Sequence, residues 1–315
     1  MDLGPLNRPP LQTRVLITGA NGLLGQALVR RLGPSDDYEV LATARDDALH
    51  AEAEVAYERM DVTDPDAVPT TIDAFDPDVV VNCAAMSDVA ACEDNRNAAW
   101  ATNARAVKRL ARLCEEHRAR LIQVSTDFVF DGEHGPYREQ DRPNPVNYYG
   151  RTKHGGENNA REAGRDQWAI VRTVLLYGTG QHLSRSNFAL WVLDELGAGE
   201  SLQIVDDQWR TPTFVDDLAA GIDQLIQAEA TGIYHLSGPD MVSVYEFACT
   251  IAEVFGYDPS LIEPVQSDYF EDAVARPPKT GFVIEKAREE LDYDPHGLEA
   301  GLRALGEQLG TPPVA

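Results

Sequence analysis

Three side chains in this sequence have types and spacings suited to chemistry: the Thr126 hydroxyl, the Tyr149 phenol and the Lys153 ammonium. In residues 146–157, "VNYYGRTKHGGE", the lysine stands four residues after the second of two tyrosines. On a helix, side chains at i and i+4 share a face and can meet. Tyr148 stands five residues before the lysine and points elsewhere, so the spacing selects Tyr149. A phenol with a pKa of about 10 is a poor acid-base group near neutrality, and a neighbouring ammonium stabilises the phenolate and lowers that value. The bland alternative is an ordinary helix surface. Lysine is rare here, represented only by Lys108, Lys153, Lys279 and Lys286, so a chance Tyr-x-x-x-Lys pair is expected well under once.

Positioning these groups requires a strand end and a helix start. Runs rich in β-branched residues recur at intervals suited to β-α units, at residues 14–18 (RVLIT), 39–43 (EVLAT), 79–82 (VVVN), 121–125 (LIQVS) and 169–172 (AIVR). Helical patterns lie between them, at 23–32 and 98–117. Buried strands alternating with helices specify an α/β fold with a doubly wound, parallel, Rossmann-type sheet. Thr126, in "VSTDFVF", closes the fifth strand at its carboxyl end, where open α/β sheets bind ligands and where a hydroxyl could donate to a substrate carbonyl. Capping a turn is the commoner use of threonine at such a point. After Tyr177 the regularity fades, although 202–205 and 232–236 still read as strands. The expected organisation is a tail at 1–12, a nucleotide-binding domain at 13–178 plus about 202–236, and a smaller interleaved substrate lobe at 179–201 and 237–315.

Residues 18–25, "TGANGLLG", leave the first strand and open a helix. Glycines at 19, 22 and 25 permit a tight turn, close approach to a pyrophosphate and helix-to-strand packing, and the helix N-terminus faces the phosphates. Glycine-rich turns are common, but the strand before and the amphipathic helix after supply the context that dinucleotide binding needs. The second strand runs into Ala44 and Arg45, followed by Asp46 and Asp47. A cation there accommodates the 2′-phosphate of NADP and an acid grips the ribose of NAD, so Arg45 favours NADPH, with NADH as the alternative if Asp46 takes that place. Asp61 and Val62 are expected at the end of a third strand, near the adenine.

Composition narrows the remaining classes. The 315 residues carry a formal charge of -25, which argues against a nucleic-acid partner, because neutralising phosphates needs basic patches. The acid is spread along the whole chain and arginine supplies nearly all the positive charge. Such a surface fits a halophilic cytoplasm, where the Debye length falls to roughly 3 Å at 1 M salt; the bland alternative is an ordinary acidic protein. No apolar run suggests a signal segment or a membrane span, so a soluble cytoplasmic protein is expected. Cys83, Cys92, Cys114 and Cys249 show no C-x-x-C pairing and read as reduced. The seven histidines form no ligand-like set, so no metal is expected.

Taken in order, "TGANGLLG", "STDFVF" and "YYGRTK" resemble an extended short-chain dehydrogenase/reductase, and more narrowly the dTDP-4-dehydrorhamnose reductase family. Further matching stretches are "VNCAA" (81–85), "WATN" (100–103), "VRTVLLYG" (171–178), "SNF" (186–188), "VDDQWRTPTFVDDLA" (205–219) and "ARPPKTGF" (275–282). The resemblance implies reduction of the C4 keto group of a nucleotide-linked deoxysugar, dTDP-4-dehydrorhamnose to dTDP-L-rhamnose. Tyr149 would protonate the keto oxygen, Thr126 would hydrogen-bond it, and Lys153 would hold the nicotinamide ribose and tune the phenol. Gly19, Asn21, Gly22, Leu23, Leu24, Gly25, Arg45, Asp61, Val62, Cys83, Ala84 and Ala85 would join Tyr149 and Lys153 around the cofactor. Ser87, Asp127, Phe128, Leu175, Asn187 and Arg276 would face the substrate. A homodimer through the helix at 98–117 and the one bearing "YYGRTK" is a further option that the superfamily offers.

Four departures bear on the sugar. Phe128 stands where the family often has Tyr, Met86-Ser87 where it has Tyr-Thr, Leu175 where it has Trp, and Arg210 where reductases of the group commonly have Gly. Related dehydratases carry Asp-Glu after the threonine, and here Phe128 follows Asp127, so elimination of water is disfavoured. A nucleotide-sugar 4-epimerase and a cofactor-binding regulatory subunit, resembling the methionine adenosyltransferase β subunit, are the competing readings.

Overall fold

The computed structural model describes residues 12–48, 55–164, 167–183, 186–270 and 274–311, and the expected tail, save Gln12, lies outside them. The first half alternates strand and helix as β1 (Thr13–Thr18), α1 (Leu23–Leu32), β2 (Tyr38–Ala44), β3 (Ala56–Arg59), α2 (Ala67–Phe75) and β4 (Val79–Asn82). Next come α3 (Val89–Asp94), α4 (Arg96–Trp100), a π turn over Ala101–Arg105, α5 (Ala106–His117), β5 (Arg120–Thr126), α6 (Tyr148–Ala160) and β6 (Trp168–Thr173). The second half holds β7 (Leu176–Tyr177), α7 (Phe188–Gly197), β8 (Leu202–Val205), β9 (Trp209–Arg210), β10 (Thr213–Phe214), α8 (Val215–Gln227) and β11 (Gly232–His235). It ends with β12 (Val242–Ser243), α9 (Val244–Phe255), β13 (Ile262–Val265), α10 (Glu285–Leu291) and α11 (Leu298–Leu309).

Seven strands form one parallel sheet in the order β11-β6-β5-β4-β1-β2-β3. This is the doubly wound order, extended by one strand at the β6 edge. Alternation along the strands builds two cores. β1 sends Val15 and Ile17 to one face, with α1 and α8, and Leu16 to the other, with α2 and α5. The order reverses between β1 and β4, whose carboxyl ends are in register at Thr18 and Asn82, and a crevice opens there.

The block at 202–236, expected to rejoin the nucleotide half as a unit, divides instead. α8 and β11 pack on the main sheet, whereas β8 pairs with β13. Leu202 and Ile204 of β8 are buried and Gln203 is exposed, a one-faced pattern suited to the lobe's small sheet over α9 and unsuited to a strand covered on both faces. Conversely, Phe282, Ile284, Ala287, Leu291 and Tyr293, expected in the lobe, enter the core under the main sheet. β3 ends at Arg59, so Asp61 and Val62 lie just past the strand, where its pairing with β2 has stopped.

Candidate active site

The cofactor side is built by β1 and α1. Gly19 has φ +69°, and a Cβ there would fall 2.6 Å from the Ala84 amide nitrogen, so the turn demands glycine. Around Gly22 a Cβ would meet only the Gly19 carbonyl, at 3.3 Å, which leaves open space in front of a helix N-terminus that has no side-chain cap. Those unpaired N–H groups and the open space fit a dinucleotide pyrophosphate. The crevice, about 410 Å³, is lined by Gly19, Gly22, Arg45, Asp61, Val62, Thr63, Cys83, Ala84 and Ala85, among others. Two of the expected ligands also have side-chain partners within the fold. Leu24 is 7 % exposed and packs in the core, and Asn21 donates to the Asp47 carbonyl at 2.9 Å, fastening the loop after β2. Leu23 is half-buried against the same core.

Tyr149 and Lys153 do share α6. Asn147 caps that helix, accepting from the Gly150 amide at 2.8 Å and donating to the Ala275 carbonyl at 2.9 Å. The cap therefore ties the helix start to the lobe. Lys153 is 5 % exposed and its ammonium donates to the Val124 carbonyl of β5 at 2.8 Å. Thr126, two residues further along the strand, donates its hydroxyl to Asp127 Oδ1 at 3.0 Å and accepts from the Phe128 amide at 3.3 Å. The Phe128 ring meets the Tyr149 ring edge-on, with centroids 5.9 Å apart.

Electrostatics here differ from the expected tuning. Burial pushes the Tyr149 phenol well above 10; the Thr126 hydroxyl eases it back and the Asp127 charge pushes it further up. Lys153 is itself desolvated with its ammonium tied to β5, and burial takes it down to about 8. At neutral pH the site holds a phenol that keeps its proton, the state a general acid needs.

The residues expected near substrate are placed unevenly. Phe128 and Leu175 are half-buried and Ser87 and Arg276 exposed. Leu175 adopts φ +39°, a left-handed conformation that is strained for leucine. Asp127 is buried with both oxygens engaged: Oδ2 accepts from the Thr280 hydroxyl and lies 3.7 Å from Arg210 Nε. Asn187 caps α7, accepting from Leu190 N at 3.3 Å and donating to the Gly178 carbonyl at 2.8 Å.

Sequence reasoning missed Asn103 as a site residue. It sits in the π turn and grips Met86 through both amide atoms, at 2.8 and 2.9 Å, while donating to Thr152 of α6 at 2.9 Å. The crevice wall after β4 is thereby fixed to the helix of Tyr149 and Lys153. "WATN" was visible, but a π turn leaves no mark in hydrophobic periodicity. Glu157, Arg172 and Ser125, buried behind Lys153, were also missed. The signal for Glu157 was its place four residues after the lysine.

Comparison with known proteins agrees with this geometry. The profile of the RmlD substrate binding domain matches residues 13–310. A probable low-salt glycan biosynthesis reductase, Agl14, of Haloferax volcanii is 34 % identical over 294 residues, 92 % of this chain and 96 % of that one. The methionine adenosyltransferase 2 subunit beta of Bos taurus is 35 % identical over 257 residues, 80 % of this chain and 75 % of that one. Among solved structures, a dTDP-4-dehydrorhamnose reductase of Bacillus anthracis in complex with NADP superposes with a TM-score of 0.85 at 30 % identity, covering 95 % of this chain and 100 % of that one. Sheet order, crevice and profile agree that the chain belongs to the RmlD substrate binding domain family.

Proposed function

We propose that this protein reduces the C4 keto group of a nucleotide-linked deoxysugar, with dTDP-4-dehydrorhamnose as substrate, dTDP-L-rhamnose as product and NADPH as reductant. The observation that carries the reading is that α6 holds Tyr149 beside the Thr126 hydroxyl and ties Lys153 to β5 next to Cys83, a wall of the crevice that fits a dinucleotide. The nicotinamide supplies the hydride that adds to C4. Tyr149 gives its proton to the keto oxygen, and its high proton affinity keeps it loaded across the neutral range. Lys153 holds the nicotinamide ribose, and the α1 N-terminus with Gly22 receives the pyrophosphate. Arg45 lines the crevice with its side chain 75 % exposed, and its loose pair with Asp46, at 3.7 Å, leaves the guanidinium available to a 2′-phosphate. A cytoplasmic location is part of the same proposal.

The test is incubation with NADPH and dTDP-4-dehydro-6-deoxy-L-mannose in high salt, following absorbance of the reduced cofactor. Stoichiometric oxidation is expected. Tyr149→Phe should lower turnover by about 10²–10⁴-fold, the usual scale of general acid catalysis, and spare NADPH binding. The likeness to the bovine methionine adenosyltransferase 2 subunit beta supports a second reading, in which this protein binds cofactor without turnover and serves as a regulatory subunit. Absence of oxidation on any 4-keto nucleotide sugar would favour that reading.

A further inference from the structure

Behind Lys153 runs a row of ionic and polar side chains buried across three strands. Glu157 lies one helical turn after Lys153 on α6, and the two are tied to consecutive residues of β5. Lys153 donates to the Val124 carbonyl at 2.8 Å, and the Ser125 hydroxyl donates to Glu157 Oε1 at 2.6 Å. From β6, in register with Ser125, Arg172 donates Nε to Oε1 and Nη2 to Oε2 of Glu157, each at 2.8 Å. On β11, in register with Arg172, His235 places Nε2 3.4 Å from Arg172 Nη1. The other His235 nitrogen, Nδ1, faces the Tyr137 carbonyl at 3.1 Å, which puts the ring proton there and leaves Nε2 to accept. Glu157, Arg172 and His235 are each 0 % exposed.

Opposed effects act on Lys153. Burial favours the neutral amine. The groups that face Lys153 are Glu157 from its own helix, Cys83 from beyond β4 and Cys92 from α3. Burial pushes Cys83 up to about 12 and Cys92 up to about 11, so both are uncharged thiols at neutral pH. Glu157 is then the anion that favours the ammonium. Burial alone would raise the Glu157 carboxyl, but hydrogen bonds from Arg172 and Ser125, together with the Arg172 charge, hold it far below the usual carboxylate range.

We infer that Glu157 is a positioning residue for the cofactor lysine: anchored by Arg172 and Ser125, it keeps Lys153 an ammonium where the nicotinamide ribose would lie. The carboxylate reaches no solvent, so its influence is screened little by salt and acts through the helix turn it shares with the lysine. This inference rests on the reading of Lys153 as the group that holds that ribose.

The experiment compares wild type, Glu157→Gln and Glu157→Gln/Lys153→Arg across pH. Two quantities are followed: kcat/KM for NADPH oxidation with dTDP-4-dehydro-6-deoxy-L-mannose, and the Kd for NADPH. In wild type both should worsen as pH rises through about 8, where Lys153 loses its proton. In Glu157→Gln that alkaline limb should move about one pH unit lower or more, the size of shift one removed neighbouring charge produces, while the values on its acidic side stay near wild type. Adding Lys153→Arg, a cation that does not titrate in this range, should abolish the limb. If Glu157→Gln fails to fold, Glu157→Gln/Arg172→Met removes both buried charges and must still move the limb lower, by a smaller amount, because the cation beside the carboxylate goes too. A limb left in place, or an equal loss at every pH, overturns the inference. Failure of the reductase reading would look different: wild type would not oxidise NADPH, yet its Kd would still carry the limb.

Discussion

Arg210 places its Nε 3.7 Å from Oδ2 of Asp127, and each residue is only 3 % exposed. The rest of the guanidinium is committed. Nη1 donates to the carbonyls of Trp209 and Pro278 at 2.7 and 3.3 Å, and Nη2 to the Pro277 carbonyl and Gln208 Oε1 at 2.8 and 3.2 Å. A residue in place of the family's usual glycine thus fastens the lobe to the catalytic end of β5. Burial raises the Asp127 carboxyl while Arg210, Thr280 and Thr126 pull it back, so the carboxylate depends on these partners to stay charged.

Removing the cation should therefore be costly. Arg210→Met is expected to destabilise the fold by about 3–5 kcal/mol, the scale for an orphaned buried charge. The sign with pH follows from the raised Asp127 pKa: the loss is full at neutral pH, where the unpaired carboxylate is ionised, and shrinks on acidification as Asp127 takes up a proton. Adding Asp127→Asn should recover part of the loss at neutral pH. Denaturant midpoints at pH 7 and pH 5 measure all of this, and a loss that does not vary with pH would refute it.

α6 is glycine-rich where it meets the π turn. A Cβ at Gly156 would collide with the Asn103 carbonyl oxygen, a backbone atom that has nowhere to go. Gly156→Ala is expected to cost about 1–3 kcal/mol by overpacking and to lower kcat as Lys153 moves off β5. Gly197→Ala is the matched contrast. Its Cβ would meet only the Tyr257 hydroxyl at 3.4 Å, so helix propensity should prevail and stabilise by roughly 0.5–1 kcal/mol. Thermal or chemical unfolding of the two variants reads out the difference in sign.

Cofactor choice is tested at Arg45. Arg45→Ala should weaken NADPH by about ten-fold or more, the scale of a lost charge-assisted contact, and change NADH little. Equal effects on the two Kd values would assign Arg45 to the solvated surface.

Net charge predicts a response to salt. With a formal charge of -25, self-repulsion opposes compaction at low ionic strength. The Tm should rise as KCl goes from 0.1 to 1 M and the Debye length shrinks from about 10 to about 3 Å. A Tm that stays flat or falls would remove the electrostatic argument for a saline cytoplasm.

The main sheet was legible because its strands are continuous apolar runs between helical patterns. The run at 79–82 is β4 itself, and the run at 121–125 falls one residue short of β5 at each end. The i+4 spacing likewise identified one helix face holding Tyr149 and Lys153. What escaped notice was long-range. β8 and β11 look alike as short strands, and only tertiary pairing decides that one joins β13 and the other β6. The phenol's direction of titration was also hidden, because it depends on burial and on the neighbouring Asp127 charge, neither of which the i+4 spacing encodes. The partners of Asp127, Thr280 and Arg210, are likewise too distant in sequence for any local pattern to join them to it.

The Asp127–Arg210–Thr280 cluster also sets an order of events as the chain is made. Thr280 emerges 153 residues after Asp127. The glycine turn and the first strands are complete long before that, so a nascent chain can present its dinucleotide crevice early. The surroundings of the acid close only when the last fifth of the polypeptide arrives. A chain cut short before residue 280 would leave Asp127 without Thr280, and the end of β5 unfinished.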